Sequence, residues 1–513
     1  MQVTNEELRA LKPLVVAVVG PTNEGKTSIL RTLTSDPNFG LVNAYNGTTV
    51  RAEIQKIFYK GVAEILQLVD TPGFQTSGEI YELLMEDEAV AAKHGAFDLD
   101  DLLRVVPQQD EDFRHDLRAW REVARCDAVI FVVNVVENPK QYLLKHTLTL
   151  LKNINKPVVV AYNNVHVASP TPLDASGATA VDYRVEWDET LRKNSFFLVQ
   201  EYDAHARSFG DEIELFEKLA ALAREPLTQR VLRLEIKERR ARELRRLERS
   251  REILAELLVD VAAYREIKTD VGQNEWQIQL TRLEETLKQN AVQREHNAQL
   301  ELLGTWGFHV GALDREMLVV EDDANQRDLL FGGGAKRHVS VGGGVGATVG
   351  AVVGGAIDAC VGGLSFGTGA ILGGFLGGLL GGGGALAYNS KYDPKSKVLT
   401  ARVQKSVCDA LLARGVELVK KLQTRGKALE DSVQLAIGAD LPAIEIPGLD
   451  GALEECAKYD DYSKLNKAVS TNFGAKEWRK LPGVARFSKE RKTREQTIKA
   501  IAESLKLAIP DVE

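Results

Sequence analysis

The stretch Val15–Ser28, VVAVVGPTNEGKTS, decides the fold of the first part of the chain. Its leading apolar residues predict a buried strand, and the run SILRTL that begins at Ser28 predicts a helix. Between them lies GPTNEGKT, the G-x-x-x-x-G-K-[ST] pattern of a phosphate-binding loop. Because a helix N-terminus after such a loop attracts anions, this order predicts a site for the phosphates of a nucleotide.

Each position of this loop has a predicted role. Gly20 and Gly25 allow backbone angles that turn successive N–H groups toward a phosphate. Lys26 is expected to reach the β- and γ-phosphates, and the Thr27 hydroxyl is expected to bind Mg²⁺. The other nucleotide contacts predicted in the loop are Asn23, Glu24 and Ser28.

A second motif follows the next predicted buried strand. The strand-like run Ala63–Val69 leads directly into Asp70-Thr-Pro-Gly73, a D-x-x-G pattern. An acid at a strand end can hold Mg²⁺ through water, and the glycine N–H can bond a γ-phosphate. Asp70 is therefore a predicted metal ligand, and Gly73 is the predicted sensor of the third phosphate. The two motifs, in this order, are typical of a GTPase.

Strand-like and helix-like runs alternate over residues 1–225 and predict an α/β domain with a mostly parallel sheet and helices on both faces. Residues 74–125 are rich in acids and longer than a minimal domain of this class needs. Two interpretations remain open for them: a solvated helical insertion, or a partner surface that changes with the nucleotide.

Composition narrows the class of protein. A formal net charge of −8 argues against a general polyanion binder, so nucleic acid is disfavoured as a partner. Four cysteines lie far apart without ligand spacing and are expected to be reduced thiols. The first residues lack an apolar signal core, so we expect a cytoplasmic protein.

The segments GPTNEGKT, GTTVR, DTPG and PVVVAYNNVH together resemble the Era/TrmE branch of the translation-factor class of GTPases, over roughly residues 12–225. The resemblance implies GTP and GDP as ligands and Mg²⁺ as cofactor. It also implies Thr49 as a Mg²⁺ ligand, and K⁺ as a second cation held by Asn23. The catalytic residues that it implies are Asn23, Lys26, Thr49 and Gly73.

The base-reading N-K-x-D of that branch falls on Asn163-Asn164-Val-His166. Asn163 matches, but Asn164 replaces the lysine and His166 replaces the aspartate. An aspartate accepts two hydrogen bonds from guanine, whereas a neutral histidine has one acceptor nitrogen. The three positions are predicted base contacts, with weakened guanine selectivity.

The residue after Gly73 is Phe74, where Ras-like enzymes place a glutamine, and the Era/TrmE branch is similarly hydrophobic there. We therefore expect slow intrinsic hydrolysis that K⁺ or self-association stimulates.

The remainder divides into three predicted regions. Residues 226–330 are charged and helix-favouring and indicate long helices or a coiled-coil arm, with binding of anionic lipid or RNA as the alternative. Residues 331–390 contain a glycine-rich apolar hairpin. Residues 391–513 are predicted to be a helical domain, with a helix pair over 396–437 and a basic tail suited to anionic lipid or a solvated surface. A GTPase domain with such a C-terminal part is similar to bacterial GTPases that carry a C-terminal domain of unknown function.

The hairpin region 341–388 has Asp358 as its single charged residue. Glycines recur at every fourth position, which on a helix allows close backbone contact in a membrane. The glycines in question are Gly342, Gly346, Gly350, Gly354, Gly369, Gly373, Gly377 and Gly381. A membrane hairpin, a glycine zipper buried in a soluble helical domain and low-complexity disorder all remain open.

Three functions follow from these features. The first is a GTPase switch at the inner face of the cell membrane, with a membrane or integral membrane protein as partner and self-association through the GTPase domain or the glycine zipper. The second is a soluble RNA- or ribosome-associated assembly GTPase. The third is a nucleotide-dependent scaffold with little hydrolysis.

Overall fold

The computed structural model describes residues 3–36, 39, 52–168, 182–308, 388–403, 405–426, 444, 446, 448–449, 451–453 and 488–511. Thr49 and almost all of the glycine-rich region lie outside these residues, so their predicted roles stay predictions. The chain forms two compact units, one mostly of residues up to Arg242 and the other mostly of residues from Glu243 onward.

The first unit contains a six-stranded sheet in the order β2-β3-β1-β4-β5-β6. Its strands are β1 (Leu14–Val19), β2 (Glu53–Tyr59), β3 (Ala63–Asp70), β4 (Ala128–Asn134), β5 (Val158–Asn163) and β6 (Val199–Glu201). The edge strand β2 is antiparallel to β3, and all other pairs are parallel. This arrangement confirms the predicted α/β class with a mostly parallel sheet.

Helices cover the sheet on both faces. They are α1 (Asn5–Arg9), α2 (Lys26–Thr34), α3 (Ser77–Glu86), α4 (Glu88–Ala92), α5 (Leu99–Val105), α6 (Arg114–Arg125), α7 (Tyr142–Asn153), α8 (Val165–Ala168), α9 (Arg184–Lys193) and α10 (Phe209–Leu222). Alternate residues of β1 enter different cores: Val16 and Val18 pack in one, and Ala17 and Val19 pack in the other. Burial on both faces explains why this strand is apolar throughout.

The acidic insertion is helical, as predicted. Helices α3 to α6 occupy residues 77–125 and bury Leu84, Leu102 and Trp120 in the core beneath the sheet. Their acids lie mostly on exposed faces, where water solvates the charge. The insertion therefore extends the domain and shares its core.

The second unit joins long helices to a small sheet. Its elements are α11 (Pro226–Ala263), which begins in the first unit, β7 (Arg265–Lys268), α12 (Trp276–Trp306), β8 (Tyr388–Asp393), β9 (Val398–Val403), α13 (Lys405–Thr424) and α14 (Ser488–Ser504). The sheet is antiparallel with the order β7-β9-β8. The long charged helices were expected, and the sheet was not.

The helix predicted from residue 396 is wrong for Val398–Val403, which forms β9. The reason is the period of the sequence VLTARV: Leu399, Ala401 and Val403 are buried and their neighbours are half-exposed. A period of two suits a strand. The helical prediction is confirmed from Lys405 to Thr424.

Ion pairs are buried between the helices of the second unit. Asp260 on α11 accepts a hydrogen bond from Arg294 Nε at 2.8 Å and also pairs with Arg494. Arg414 Nε lies 2.9 Å from Glu295 Oε1, with both side chains almost fully buried. Among the helices of the described residues, none has the length and apolar composition needed to cross a bilayer.

Candidate nucleotide-binding site

The predicted motifs meet at the carboxyl edge of the central strands. β1 lies between β3 and β4, and Val18 of β1 pairs in register with Asp70 of β3. The loop after β1 and the loop after β3 therefore leave the sheet side by side. In open α/β sheets, ligands bind at this edge, where neighbouring connections diverge to opposite faces.

The phosphate loop turns sharply before α2. Gly25 has φ of 85°, and a Cβ at this position would overlap Nδ2 of Asn163. Glycine is therefore needed here for its backbone angle and for its lack of a side chain. The first residue of α2 is Lys26, so the amides of the first helical turn open toward the loop.

Lys26 lies across the loop. Its Nζ donates to the carbonyl oxygens of Pro21 at 2.7 Å and Gly20 at 3.2 Å. Burial lowers the pKa of Lys26 to about 8, although the nearby carboxyl groups of Asp70 and Glu24 oppose that shift. The ammonium group is thus charged at neutral pH in a poorly solvated position, which favours an anionic ligand such as a phosphate.

Two of the predicted Mg²⁺ ligands are in direct contact. The Thr27 hydroxyl donates to Asp70 Oδ2 at 2.6 Å, and Asp70 is almost fully buried. A hydroxyl and a carboxylate are oxygen donors of the kind that Mg²⁺ takes, so the residues present fit this metal. Thr49, the third predicted ligand, lies outside the described residues.

Gly73 brings the D-x-x-G loop against the phosphate loop. A Cβ on Gly73 would lie 2.6 Å from Thr22 Cα, so only glycine allows this approach. The next residue, Phe74, donates its N–H to the Gly20 carbonyl at 3.0 Å. Its ring is fully buried and stacks on Trp120 with a centroid distance of 4.7 Å. The residue after the motif therefore supplies no polar group to the site.

The other predicted loop residues divide into exposed and buried ones. Asn23 is exposed at the loop tip with φ of 69°. Ser28 and Glu24 are buried. Burial, together with the nearby Glu137 carboxyl group, raises the pKa of Glu24 to about 9. The Glu24 side chain is therefore protonated at neutral pH and turned into the domain, which leaves its backbone to face a nucleotide.

Asn163 connects three parts of the site. Its side-chain Nδ2 donates to the Glu24 carbonyl at 2.8 Å, and its Oδ1 accepts from the Ala204 N–H at 3.0 Å. The residue is almost fully buried at the end of β5. It holds the phosphate loop beside the loop after β6. The next residue, Asn164, has φ of 59° and turns the chain into α8.

His166 has a partner that sequence analysis missed. Its Nδ1 lies 2.6 Å from Asp203 Oδ2, and the same oxygen accepts the His166 backbone N–H at 3.1 Å. The hydrogen bond with Asp203 raises the pKa of His166. Burial acts to raise the pKa of Asp203, but the bonds from His166, His205 and Ala206 lower it to about 2. Asp203 therefore stays ionised beside the imidazole.

Two further residues escaped the sequence analysis. Asp116 on α6 is fully buried and accepts the backbone N–H of Gln75 at 2.9 Å and that of Thr76 at 3.3 Å. Gln75 also donates from Nε2 to the Thr22 hydroxyl at 3.2 Å. No local pattern marked these contacts.

Comparison with known proteins agrees with this geometry. Residues 15–164 match the family model described as 50S ribosome-binding GTPase, and the fold and the motifs define a P-loop GTPase domain. Residues 189–503 match the model of DUF3482, a domain of unknown function. Since this match spans more than half of the chain, the protein belongs to the DUF3482 family. A comparison with curated proteins found no match.

Several solved structures resemble the chain. Era in complex with MgGDPNP and part of 16S ribosomal RNA is 18% identical, over 38% of this chain and 52% of that chain, with a TM-score of 0.25. The G domain of the T. maritima FeoB iron transporter is 21% identical, over 42% of this chain and 100% of that chain, with a TM-score of 0.25. Aquifex aeolicus Era bound to GDP and aluminium fluoride is 17% identical, over 58% and 90%, with a TM-score of 0.29. The match thus spans about half of the Era chain in the RNA complex.

Proposed function

We propose that this protein is a GTPase switch that hydrolyses GTP to GDP and phosphate. The observation that carries the proposal is the Lys26 ammonium group, buried at the mouth of a glycine loop beside the paired Thr27 and Asp70. A GTPase domain supports binding and hydrolysis of GTP in general. Thr27, Asp70 and Thr49 would hold Mg²⁺, which would neutralise phosphate charge when bound.

Most of the catalytic work in this proposal is positioning. Lys26 neutralises charge that develops on the β- and γ-phosphate oxygens. The backbone N–H of Gly73 contacts the third phosphate, so the loss of that phosphate frees the D-x-x-G loop. Phe74 donates to Gly20 and packs on Trp120 of α6, so a movement of the D-x-x-G loop would also shift the core packing at α6. The nucleotide state can thereby alter the helical insertion.

Base recognition rests on His166 in this proposal. With Nδ1–H donated to Asp203, a neutral imidazole presents Nε2 as an acceptor toward a guanine N–H. Protonation converts that nitrogen to a donor. Because the pKa of His166 is raised, the neutral form is complete only well above pH 6.5. Two ionisable side chains of the described residues lie beside His166: Asp203, which favours its protonation, and His205, whose ring centroid lies 5.9 Å from that of His166.

The test is the affinity for GTP, ATP and XTP, measured by fluorescent-nucleotide titration at pH 7.5 and pH 6. We expect the affinity for GTP relative to that for ATP to be highest at pH 7.5 and to fall about tenfold at pH 6, a ratio in which the titration of Lys26 cancels. XTP has a hydrogen-bond acceptor where guanine has an amino group, so its affinity should rise at pH 6. His166→Asn should abolish the pH dependence, and the control His94→Asn should retain it. A GTP affinity that is flat with pH, or a uniform preference for ATP, would contradict this mode of recognition.

K⁺ is the second cation of the proposal, and exposed Asn23 is its ligand. We expect turnover in K⁺ to exceed turnover in Na⁺ by about tenfold, equivalent to ~1.4 kcal/mol of barrier. Asn23→Ala should bring the K⁺ rate down to the Na⁺ rate. Asn155→Ala is a matched control, since Asn155 is also exposed with positive φ. If Asn23→Ala keeps the full K⁺ stimulation, another group binds the ion.

The proposed place of action is the inner face of the cell membrane. Support comes from the apolar glycine-rich composition of residues 341–388, most of which lie outside the described residues. The partner in this view is the bilayer or an integral membrane protein, with self-association through the GTPase domain or the glycine-rich region. Carbonate-resistant pelleting with membranes should be lost when 341–388 are deleted. Pelleting that persists would place the membrane contact elsewhere.

A second candidate is a ribosome-associated assembly GTPase. The family that residues 15–164 match, 50S ribosome-binding GTPase, favours it. The test is nucleotide-dependent co-sedimentation with the large ribosomal subunit. An equal amount of sedimented protein with and without residues 341–388 would support this candidate over the membrane switch.

A further inference from the structure

A GTPase must direct one water at the terminal phosphorus, and the residue directly after the D-x-x-G motif cannot do so here. The Phe74 ring is fully buried and stacked on Trp120, and the Phe74 N–H is bonded to Gly20. Any group that positions water therefore has to come from another residue. Gln75, the residue directly after Phe74, is polar and exposed.

Two contacts hold Gln75 against the phosphate loop. Its backbone N–H donates to the buried carboxylate of Asp116 at 2.9 Å. Its side-chain Nε2 donates to the Thr22 hydroxyl at 3.2 Å. Thr22 is also the residue on which Gly73 packs so closely that a Cβ would be excluded. The Gln75 carboxamide and the backbone of Gly73 thus both lie against Thr22.

The anchoring by Asp116 is built into the fold. Asp116 lies in the first turn of α6 and accepts from two consecutive backbone N–H groups, those of Gln75 and Thr76. Because the carboxylate is fully buried, it fixes the backbone on which the Gln75 side chain stands. The side chain itself is exposed, and a rotation about its side-chain bonds would exchange the Thr22 contact for a bound phosphate.

A carboxamide suits the task. Its oxygen accepts a hydrogen bond from a water molecule while its NH₂ group donates to a phosphate oxygen, so a single side chain can orient a nucleophile. Hydrolysis requires the water oxygen to attack phosphorus as the bond to the β-phosphate oxygen breaks, and the water proton passes to the phosphate released. The carboxamide exchanges no proton and needs none.

We propose that Gln75 positions the attacking water in this GTPase, anchored by Asp116 and supported by Thr22. The proposal rests on the proposed GTPase function and assigns to Gln75 the role that Phe74 cannot fill.

The test compares the full-length chain with Gln75→Ala in single-turnover GTP hydrolysis with Mg²⁺ and K⁺. We expect the rate to fall by about 10- to 100-fold, as for the loss of a group that positions a reactant. The affinities for GTP and GDP should change less than twofold, because the side chain acts at the water. Binding of GDP with aluminium fluoride, which mimics the transition state, should be lost. Gln108→Ala is the matched control, since Gln108 is an exposed glutamine in the same helical insertion.

A second variant separates positioning from folding. Asp116→Asn retains an acceptor for one N–H and should lower the hydrolysis rate while GDP still binds. If Gln75→Ala hydrolyses GTP within twofold of the parent chain, the role of Gln75 is overturned and the GTPase function stands. If the parent chain binds GTP and releases no phosphate over many hours, both the function and the role of Gln75 are overturned.

Discussion

Replacement of Lys26 by alanine will lower kcat/KM for GTP by about 10³-fold or more. The ammonium group is the buried cation of the phosphate loop, and loss of one preorganised charge partner of a transition state costs on the order of 10² to 10³ in rate. Weaker binding of the β- and γ-phosphates adds to that loss. Nucleotide titration and phosphate release measure the two parts separately.

The same substitution is not expected to unfold the domain. Burial lowers the pKa of Lys26, so the charged form is less stable in the folded chain than in the unfolded chain below the ordinary lysine pKa. Removing this side chain removes that cost, and the thermal midpoint without nucleotide should stay level or rise. Lys93→Ala, which replaces an exposed lysine paired with Asp101, is the control and should leave GTP turnover unchanged. Full activity in Lys26→Ala would refute the assignment of the phosphate loop.

Replacement of Asp260 by alanine will destabilise the second unit by about 3–5 kcal/mol. Asp260 accepts from Arg294 at 2.8 Å and pairs with Arg494, and the carboxylate is almost completely buried. Without it, the guanidinium groups of Arg294 and Arg494 lose a buried carboxylate partner, and breaking a buried pair in this way costs about that much free energy. Urea unfolding of the full chain, followed by tryptophan fluorescence, measures the change.

The pH dependence has a defined sign. Burial acts to raise the pKa of Asp260, but Arg494 and Arg294 outweigh it and the pKa is lowered. The contribution of ionised Asp260 to the free energy of unfolding is therefore complete above the ordinary aspartate pKa of 3.8. It is lost only as the pH falls through the lowered pKa. Glu503→Ala, which removes an exposed pair with Lys506, should cost less than about 1 kcal/mol. Equal effects of the two substitutions would show that the buried pair adds no stability.

The local parts of the site could be predicted because each motif is contiguous in the chain. Lys26 and Thr27 follow Gly20 at the fixed spacing of the phosphate-loop motif. The strand before the loop and the helix after it fix the positions of their side chains. The alternation of apolar runs likewise indicated the sheet of the first unit. The short sheet of the second unit was missed, because β7 pairs with β9 across more than a hundred intervening residues. The helix-favouring composition around both strands concealed it.

The sequence alone determined that this chain has a glycine loop for phosphates and what type of domain surrounds that loop. Both features follow from residues that are close together in the chain, because these residues set the local backbone conformation. Only the tertiary structure decided which distant side chains complete the site. Asp203 meets His166, and Asp116 holds Gln75, across 37 and 41 positions of sequence. Such contacts depend on strand order and on the paths of helices across the sheet, which the energy of the whole packed core selects.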